Sequence, residues 1–261
     1  MLIDTHAHLN DARFDEDREA VIDRALASGV GTLVEIADAP ADWGRAKALC
    51  RLRPGRVYCT LGLHPYHAAQ WRPGLEAELL AAMAPEVVAV GEVGLDYARC
   101  SVPRPVQLEA FRGMLAAAKA ADRPVVVHCR DAFADLLPVL RERYGGKSPA
   151  RRYHGVVHCF SGTEDEAKEC AALGFALGAD GPVTYPKNEP LRRALVAAGL
   201  SAVVLETDSP YLPPQSKRGK RCEPADVAAV AARLAEAFGV DAEALAAATT
   251  ANARSLYGLP V

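Results

Sequence analysis

His6 and His8 stand one residue apart at the end of the first apolar run, residues 2–8. Side chains at i and i+2 of an extended strand share a face, so this pair can turn two imidazoles toward one cation. Glu92 follows the apolar run 87–90. A carboxylate there needs a partner, because burying an unpaired charge is costly, and a cation would satisfy it. His128 closes the run 125–127 and His158 closes 156–157. One histidine after an apolar run is usually a hydrogen-bonded core residue. Two in equivalent positions on successive runs are harder to explain in that way. Asp208 ends the run that begins at Val203, with Glu206 two residues before it. These six residues exceed one tetrahedral site, which takes about four ligands. Two ions about 3.5 to 4 Å apart with one shared carboxylate accommodate them all, and Glu92 is expected to be the shared group. Imidazole-rich donor sets favour zinc, manganese or iron over magnesium, although availability overrides affinity in some proteins. Magnesium, manganese and zinc therefore all stay open.

Such residues can meet only if the elements carrying them do. Short apolar runs at 2–8, 32–36, 57–64, 87–94, 124–128, 155–158, 175–179 and 202–206 read as strands. Between them, 15–27, 41–52, 75–82, 107–120, 133–143, 165–172 and 191–198 carry Ala, Leu, Glu, Arg and Lys at helical spacing, and 224–238 and 242–247 close the chain as helices. Strand–helix alternation implies a parallel sheet. About eight strands in roughly 250 residues suits an α/β fold closed into a single (β/α)8 TIM-type barrel, here one domain over 1–261. A doubly wound open sheet is the alternative, but no glycine-rich dinucleotide or P-loop fingerprint follows a strand. In a barrel the six residues fall on the C-terminal rim, where active sites of this fold lie.

Bulk properties exclude little. A net charge of -3 announces no global basic field, although a local basic patch can still bind nucleic acid. Seven cysteines, an odd number without a CxxC pair, argue against a disulfide framework or zinc ribbon. Buried thiols in a reducing cytoplasm are the expectation. No signal peptide is read at the N-terminus, and no apolar run approaches the 18 to 20 or so residues of a membrane span.

Several longer motifs extend nearly end to end: Ile3-Asp4-Thr5-His6-Ala7-His8-Leu9, Gly62-Leu63-His64-Pro65, Gly91-Glu92-Val93-Gly94-Leu95-Asp96-Tyr97, His128-Cys129-Arg130, His158-Cys159-Phe160-Ser161-Gly162 and Glu206-Thr207-Asp208-Ser209-Pro210-Tyr211-Leu212. A late Arg218-Gly219-Lys220-Arg221, then Glu223-Pro224 and Asn252, complete the set. In these the chain resembles the TatD family of metal-dependent deoxyribonucleases, within the amidohydrolase-like barrels. The resemblance implies a TIM-type barrel, divalent metals and hydrolysis of nucleic-acid phosphodiesters, by an exonuclease serving DNA repair or degradation. It implies that His6 and His8 bind one ion and His128 and His158 the other, with Glu92 bridging and Asp208 completing the first site. Ala98, where the family often has a second aromatic, and Cys222, where it often has Asn, depart from the pattern; neither is a ligand position.

The expected nucleophile is a water activated between the ions, with Asp208 as general base, since it can coordinate and accept a proton together. His64, at a strand end, suits a hydrogen bond to a phosphate oxygen. Arg130 suits bidentate phosphate contact. Lys217, Arg218, Lys220 and Arg221 are expected to hold a phosphate backbone from the last rim loop, with Arg218 the candidate among them. DNA is the expected substrate of a monomer; RNA and aminoacyl-tRNA are the other partners the phosphate-rich site allows. The same ions could instead cleave a lactone, an amide or a D-aminoacyl ester, because one barrel hosts many chemistries. A non-catalytic nucleic-acid-binding protein fits less well, since structural zinc sites usually close with four protein ligands.

Overall fold

In a computed structural model, which describes residues 1–146 and 152–260, eight parallel strands pair in chain order: β1 (Leu2–Ala7), β2 (Val30–Ala37), β3 (Val57–Leu61), β4 (Val87–Asp96), β5 (Val125–Arg130), β6 (Gly155–Val157), β7 (Phe175–Ala179) and β8 (Val203–Leu205). Helices α1 (Arg18–Ala27), α2 (Pro40–Leu52), α3 (Leu75–Ala82), α4 (Arg104–Ala120), α5 (Phe133–Tyr144), α6 (Glu164–Ala172) and α7 (Glu189–Ala198) return the chain between strands. The last two, α8 (Val227–Phe238) and α9 (Ala242–Tyr257), follow β8.

The ring closes between β8 and β1, so the fold is the expected (β/α)8 barrel and not an open sheet. The Asp208 N–H donates to the His6 carbonyl at 2.9 Å, and the His8 N–H to the Ser209 carbonyl at 2.7 Å. Buried Asp4 staples this seam, accepting the Thr207 N–H at 3.0 Å and its hydroxyl at 2.7 Å. Two core layers follow from strand alternation. Outward residues such as Leu33, Val87, Val125, Val157 and Leu177 pack under the helices. Ile3, Val34, Val88, Val126, Val156, Ala176 and Val204 form a second cluster. Residues from seven strands in mutual contact can only fill the inside of the ring.

The last helix departs from expectation. The pattern ends it at 247, yet α9 runs on to Tyr257. Thr249, Thr250 and Asn252 look like a break because they are poor helix formers, but each polar group finds a partner. The Thr249 hydroxyl bonds back to the Leu245 carbonyl at 2.9 Å, and Thr250 reaches the Met1 carbonyl at 3.0 Å. The Asn252 amide donates to the Leu200 and Val203 carbonyls at 2.9 and 2.8 Å. Leu256 and Tyr257 thereby join the interior cluster, and the Tyr257 hydroxyl lies 3.3 Å from the Thr5 carbonyl. The strand ends also shift: β4 extends past the expected 94 to Asp96, whereas β3 stops at Leu61 and β6 at Val157.

Gly94 shows how tightly β4 and β5 meet. Its φ is 144°, and a Cβ there would overlap the His128 carbonyl oxygen. Gly94→Ala is therefore expected to cost about 2 kcal/mol or more, from backbone strain and overpacking together. A denaturation midpoint indistinguishable from wild type would contradict this placement.

Candidate metal centre

The C-terminal ends of the strands deliver the polar side chains. His6 lies within β1 and His8 one residue beyond it; Glu92 and Asp96 lie within β4, and His128 within β5. Asp38, His64 and His158 each follow a strand within three residues. Asp208 sits in the loop after β8 with a left-handed φ of 55°, a conformation that aspartate and asparagine accept more readily than most residues. Buried Glu35 fixes the exit from β1 by accepting the Leu9 N–H at 2.6 Å.

Glu92 is the hub. Its Oε1 lies 2.7 Å from His128 Nδ1, 2.7 Å from His158 Nε2 and 3.6 Å from His64 Nε2. Its Oε2 turns the other way, 3.3 Å from His6 Nε2. On that second side His6 Nε2 and His8 Nε2 are 3.3 Å apart, and Asp208 Oδ1 is 3.7 Å from the first and 3.3 Å from the second. The two carboxylate oxygens thus face two separate groups of imidazoles. His6, His8 and Asp208 form one cluster whose donor atoms could hold a cation, and His64, Glu92 and His128 form another. Several of these contacts are too long for good hydrogen bonds, and within each cluster the donor atoms all lie within 4.8 Å of one another. A donor set of imidazole nitrogens and carboxylate oxygens in that arrangement fits divalent metal.

Further carboxylates stand behind the imidazoles. Asp38 Oδ2 lies 3.7 Å from His8 Nδ1, Asp96 Oδ2 lies 3.2 Å from His128 Nε2, and Glu206 Oε1 lies 3.6 Å from His158 Nδ1. Only Asp96 is within hydrogen-bond reach of its histidine; a carboxylate so placed orients a ligating imidazole in metal sites and raises its basicity, whereas Asp38 and Glu206 act on theirs through charge. Glu206 also accepts the Cys159 N–H at 2.5 Å. Gly178 of β7 makes room for it, since a Cβ there would overlap the Glu206 carboxylate. Asp38 and Asp96 escape a search confined to histidines and the first carboxylate of each motif. The strand-end rule that finds His64 and His158 would also find Asp38.

Burial and charge pull these groups in opposite directions. Burial alone would raise Glu92, but His158, His64 and His128 hold it well below the usual carboxylate range. Burial alone would depress His158, but Glu92 and Glu206 carry it well above an ordinary imidazole. His8 behaves likewise, pushed up to about 10 by Asp38 and Asp208 against its burial. For His64 burial outweighs the Glu92 charge, with His128 adding to it, and takes the imidazole down to about 3. Asp208 is held below its usual value despite burial, chiefly by His8 and His6. Both Glu92 and Asp208 are therefore carboxylates at neutral pH.

The cavity over these groups has a volume of about 500 Å³, and its lining includes His8, Glu92, His128, His158, Asp208, His64 and Arg130. His6 lies beneath, fully buried and stacked on His158 with ring centroids 3.8 Å apart. Arg218, expected among the phosphate contacts, does not line the cavity; its guanidinium lies 4.5 Å over the Tyr185 ring. Its neighbours are largely engaged too. Lys217 pairs with Asp226 at 2.6 Å, and Arg221 with Asp17 at 2.7 Å and Glu223 at 2.8 Å. Two of the run's four cations, Lys217 and Arg221, are thus paired with acids that folding brings to them. All seven cysteines are free; five are buried, and Cys100 and Cys159 half-buried. Among the described residues no helix is long and apolar enough to cross a membrane.

A family model described as TatD related DNase matches residues 3–258. An uncharacterized metal-dependent hydrolase, YabD of Bacillus subtilis (strain 168), is 36% identical over 258 residues, covering 98% of this chain and 99% of that protein. A protein of Citrobacter koseri named 3'-5' ssDNA/RNA exonuclease TatD is 36% identical over 264 residues, 99% of each. The crystal structure of YJJV, a TatD homolog from Escherichia coli K12, superposes with a TM-score of 0.90 at 30% identity, covering 99% of this chain and 98% of that one.

Proposed function

This chain belongs to the TatD related DNase family of metal-dependent hydrolases, and we propose that it is an exonuclease that hydrolyses phosphodiesters at the ends of DNA or RNA strands. One observation carries the reading: Glu92 offers Oε1 to His128 and His158 and Oε2 to His6. That divergence suits two divalent ions, one held by His6, His8 and Asp208, the other by His128 and His158, with Glu92 shared. Bound there, such ions would supply the activation of a water and the stabilisation of charge developing on the attacking and leaving oxygens. The substrate named for the Citrobacter koseri relative is single-stranded DNA or RNA, and a phosphate fits a cavity bordered by His64 and Arg130.

The protein's own groups divide the remaining work. Asp208, ionised and beside His8, takes the water proton. His64 accepts the Tyr66 N–H on Nδ1 at 3.2 Å, so its Nε2, 3.6 Å from Glu92 Oε1, carries the proton that would meet a phosphate oxygen. Arg130 provides a planar, permanently charged fork for another. Every proposed ligand comes from one chain, so the reading takes the monomer as the working unit. The free thiols suit a reducing compartment such as the cytoplasm, and strand-end hydrolysis suits DNA repair or turnover.

Arg130 and Arg218 separate phosphate binding from surface charge. Arg130→Ala is expected to raise KM on an oligonucleotide about ten-fold, the loss of a charge-assisted hydrogen bond, whereas Arg218→Ala changes it less than about two-fold. Steady-state kinetics at fixed ionic strength decides, and equal effects would remove the distinction.

The reading is tested by incubating metal-loaded protein with end-labelled single- and double-stranded DNA, RNA and an aminoacylated tRNA, alongside Asp208→Asn. Shortening of labelled strands, lost in the variant, is expected. Release of the amino acid with no strand shortened under any metal would replace the nuclease reading with ester hydrolysis.

A further inference from the structure

Among the described residues two aromatic side chains are well exposed: Tyr66, at 47%, and Tyr211, at 44%. Both line the cavity over the candidate metal centre. Tyr66 lies in the short turn after β3, and Tyr211 in the loop after β8, so the rings rise from different parts of the rim. Each is seated edge-on against a histidine of a different cluster. Tyr66 meets His64 at 4.5 Å between centroids and 84°, and Tyr211 meets His8 at 5.8 Å and 85°. Tyr211 is braced further by its hydroxyl, 3.1 Å from Asp11, and by the Arg13 guanidinium 4.1 Å over its ring. The other aromatics of the rim loops are less exposed: Phe160 is buried against Phe133, and Tyr97 and Tyr185 are half-buried.

A large ring left in water forgoes the stabilisation that burial gives, and here both such rings border one cavity. A phosphodiester held over Glu92 carries a nucleoside on each side, and every base offers a π-face. Stacking on aromatic side chains tolerates any base and depends on bases that are not already stacked in a duplex. Resting on the nuclease reading above, we propose that Tyr66 and Tyr211 stack the two bases flanking the scissile phosphate, which directs the site to an unpaired strand end.

The test uses metal-loaded full-length protein and single-stranded oligonucleotides that are intact, or abasic at the terminal or the penultimate position. For the wild type, kcat/KM is expected to fall about ten-fold when either base is removed. Tyr66→Leu and Tyr211→Leu should each lose about ten-fold on the intact strand, and each should become indifferent to one of the two abasic positions. Tyr66→Phe and Tyr211→Phe should keep the wild-type pattern, which separates stacking from a misfolded loop. Leucine variants that respond to missing bases as the wild type does would overturn the stacking pair while leaving the nuclease reading intact. A wild type that cleaves none of the strands would overturn the nuclease reading, and the pair with it.

Discussion

Asp208→Asn is expected to leave a folded protein whose kcat on a phosphodiester is lower by about 10² to 10⁴, the range for loss of a positioned general base. Asparagine keeps the shape of aspartate and tolerates the left-handed φ of 55° at this position. The backbone contacts survive as well, since the Asp208 N–H to the His6 carbonyl and the Tyr211 N–H to the Asp208 carbonyl do not involve the side chain. What is lost is the negative charge at Oδ1, 3.3 Å from His8 Nε2, and with it the proposed acceptor of the water proton. Melting temperature within a few degrees of wild type, together with the fall in turnover, is the expected pair of results. Near-wild-type turnover would remove Asp208 from the base role.

Glu92→Gln should act on the metal and not on one chemical step. The carboxylate is the common neighbour of His6, His64, His128 and His158. Loss of an outer-shell partner typically weakens metal affinity 10- to 100-fold. Removing the charge of a shared ligand is therefore expected to weaken binding of both ions by about 100-fold or more. Titration of the metal-free variant with manganese or zinc, with calorimetry as readout, checks this. Retention of one full-affinity ion would mean that Glu92 serves a single site and that the two clusters are independent.

Much of this site is legible in the sequence because parallel barrels impose a simple geometry. A polar residue that follows an apolar run lies on the rim, so His6, His8, Glu92, His128, His158 and Asp208 could be gathered from positions more than 200 residues apart. Alternation of strands and helices carried the fold for the same reason. What escaped depends on contacts between distant segments. Whether Arg221 is free to meet a phosphate depends on Asp17, 204 residues away, and nothing local to Lys217-Arg218-Gly219-Lys220-Arg221 reveals that pairing. The extent of α9 was hidden because Thr249, Thr250 and Asn252 oppose a helix locally, and they are satisfied only by carbonyls of Leu245, Met1, Leu200 and Val203. Exposure is not written in a sequence either; Tyr66, following His64-Pro65, looks the same there buried or bare.

Anomalous diffraction from crystals loaded with manganese reads whether one carboxylate is shared between two ions. Two peaks about 3.5 to 4 Å apart, one against His6, His8 and Asp208 and the other against His128 and His158, each within bonding distance of a Glu92 oxygen, are predicted. A single peak, or two peaks of which only one touches Glu92, would contradict a shared carboxylate.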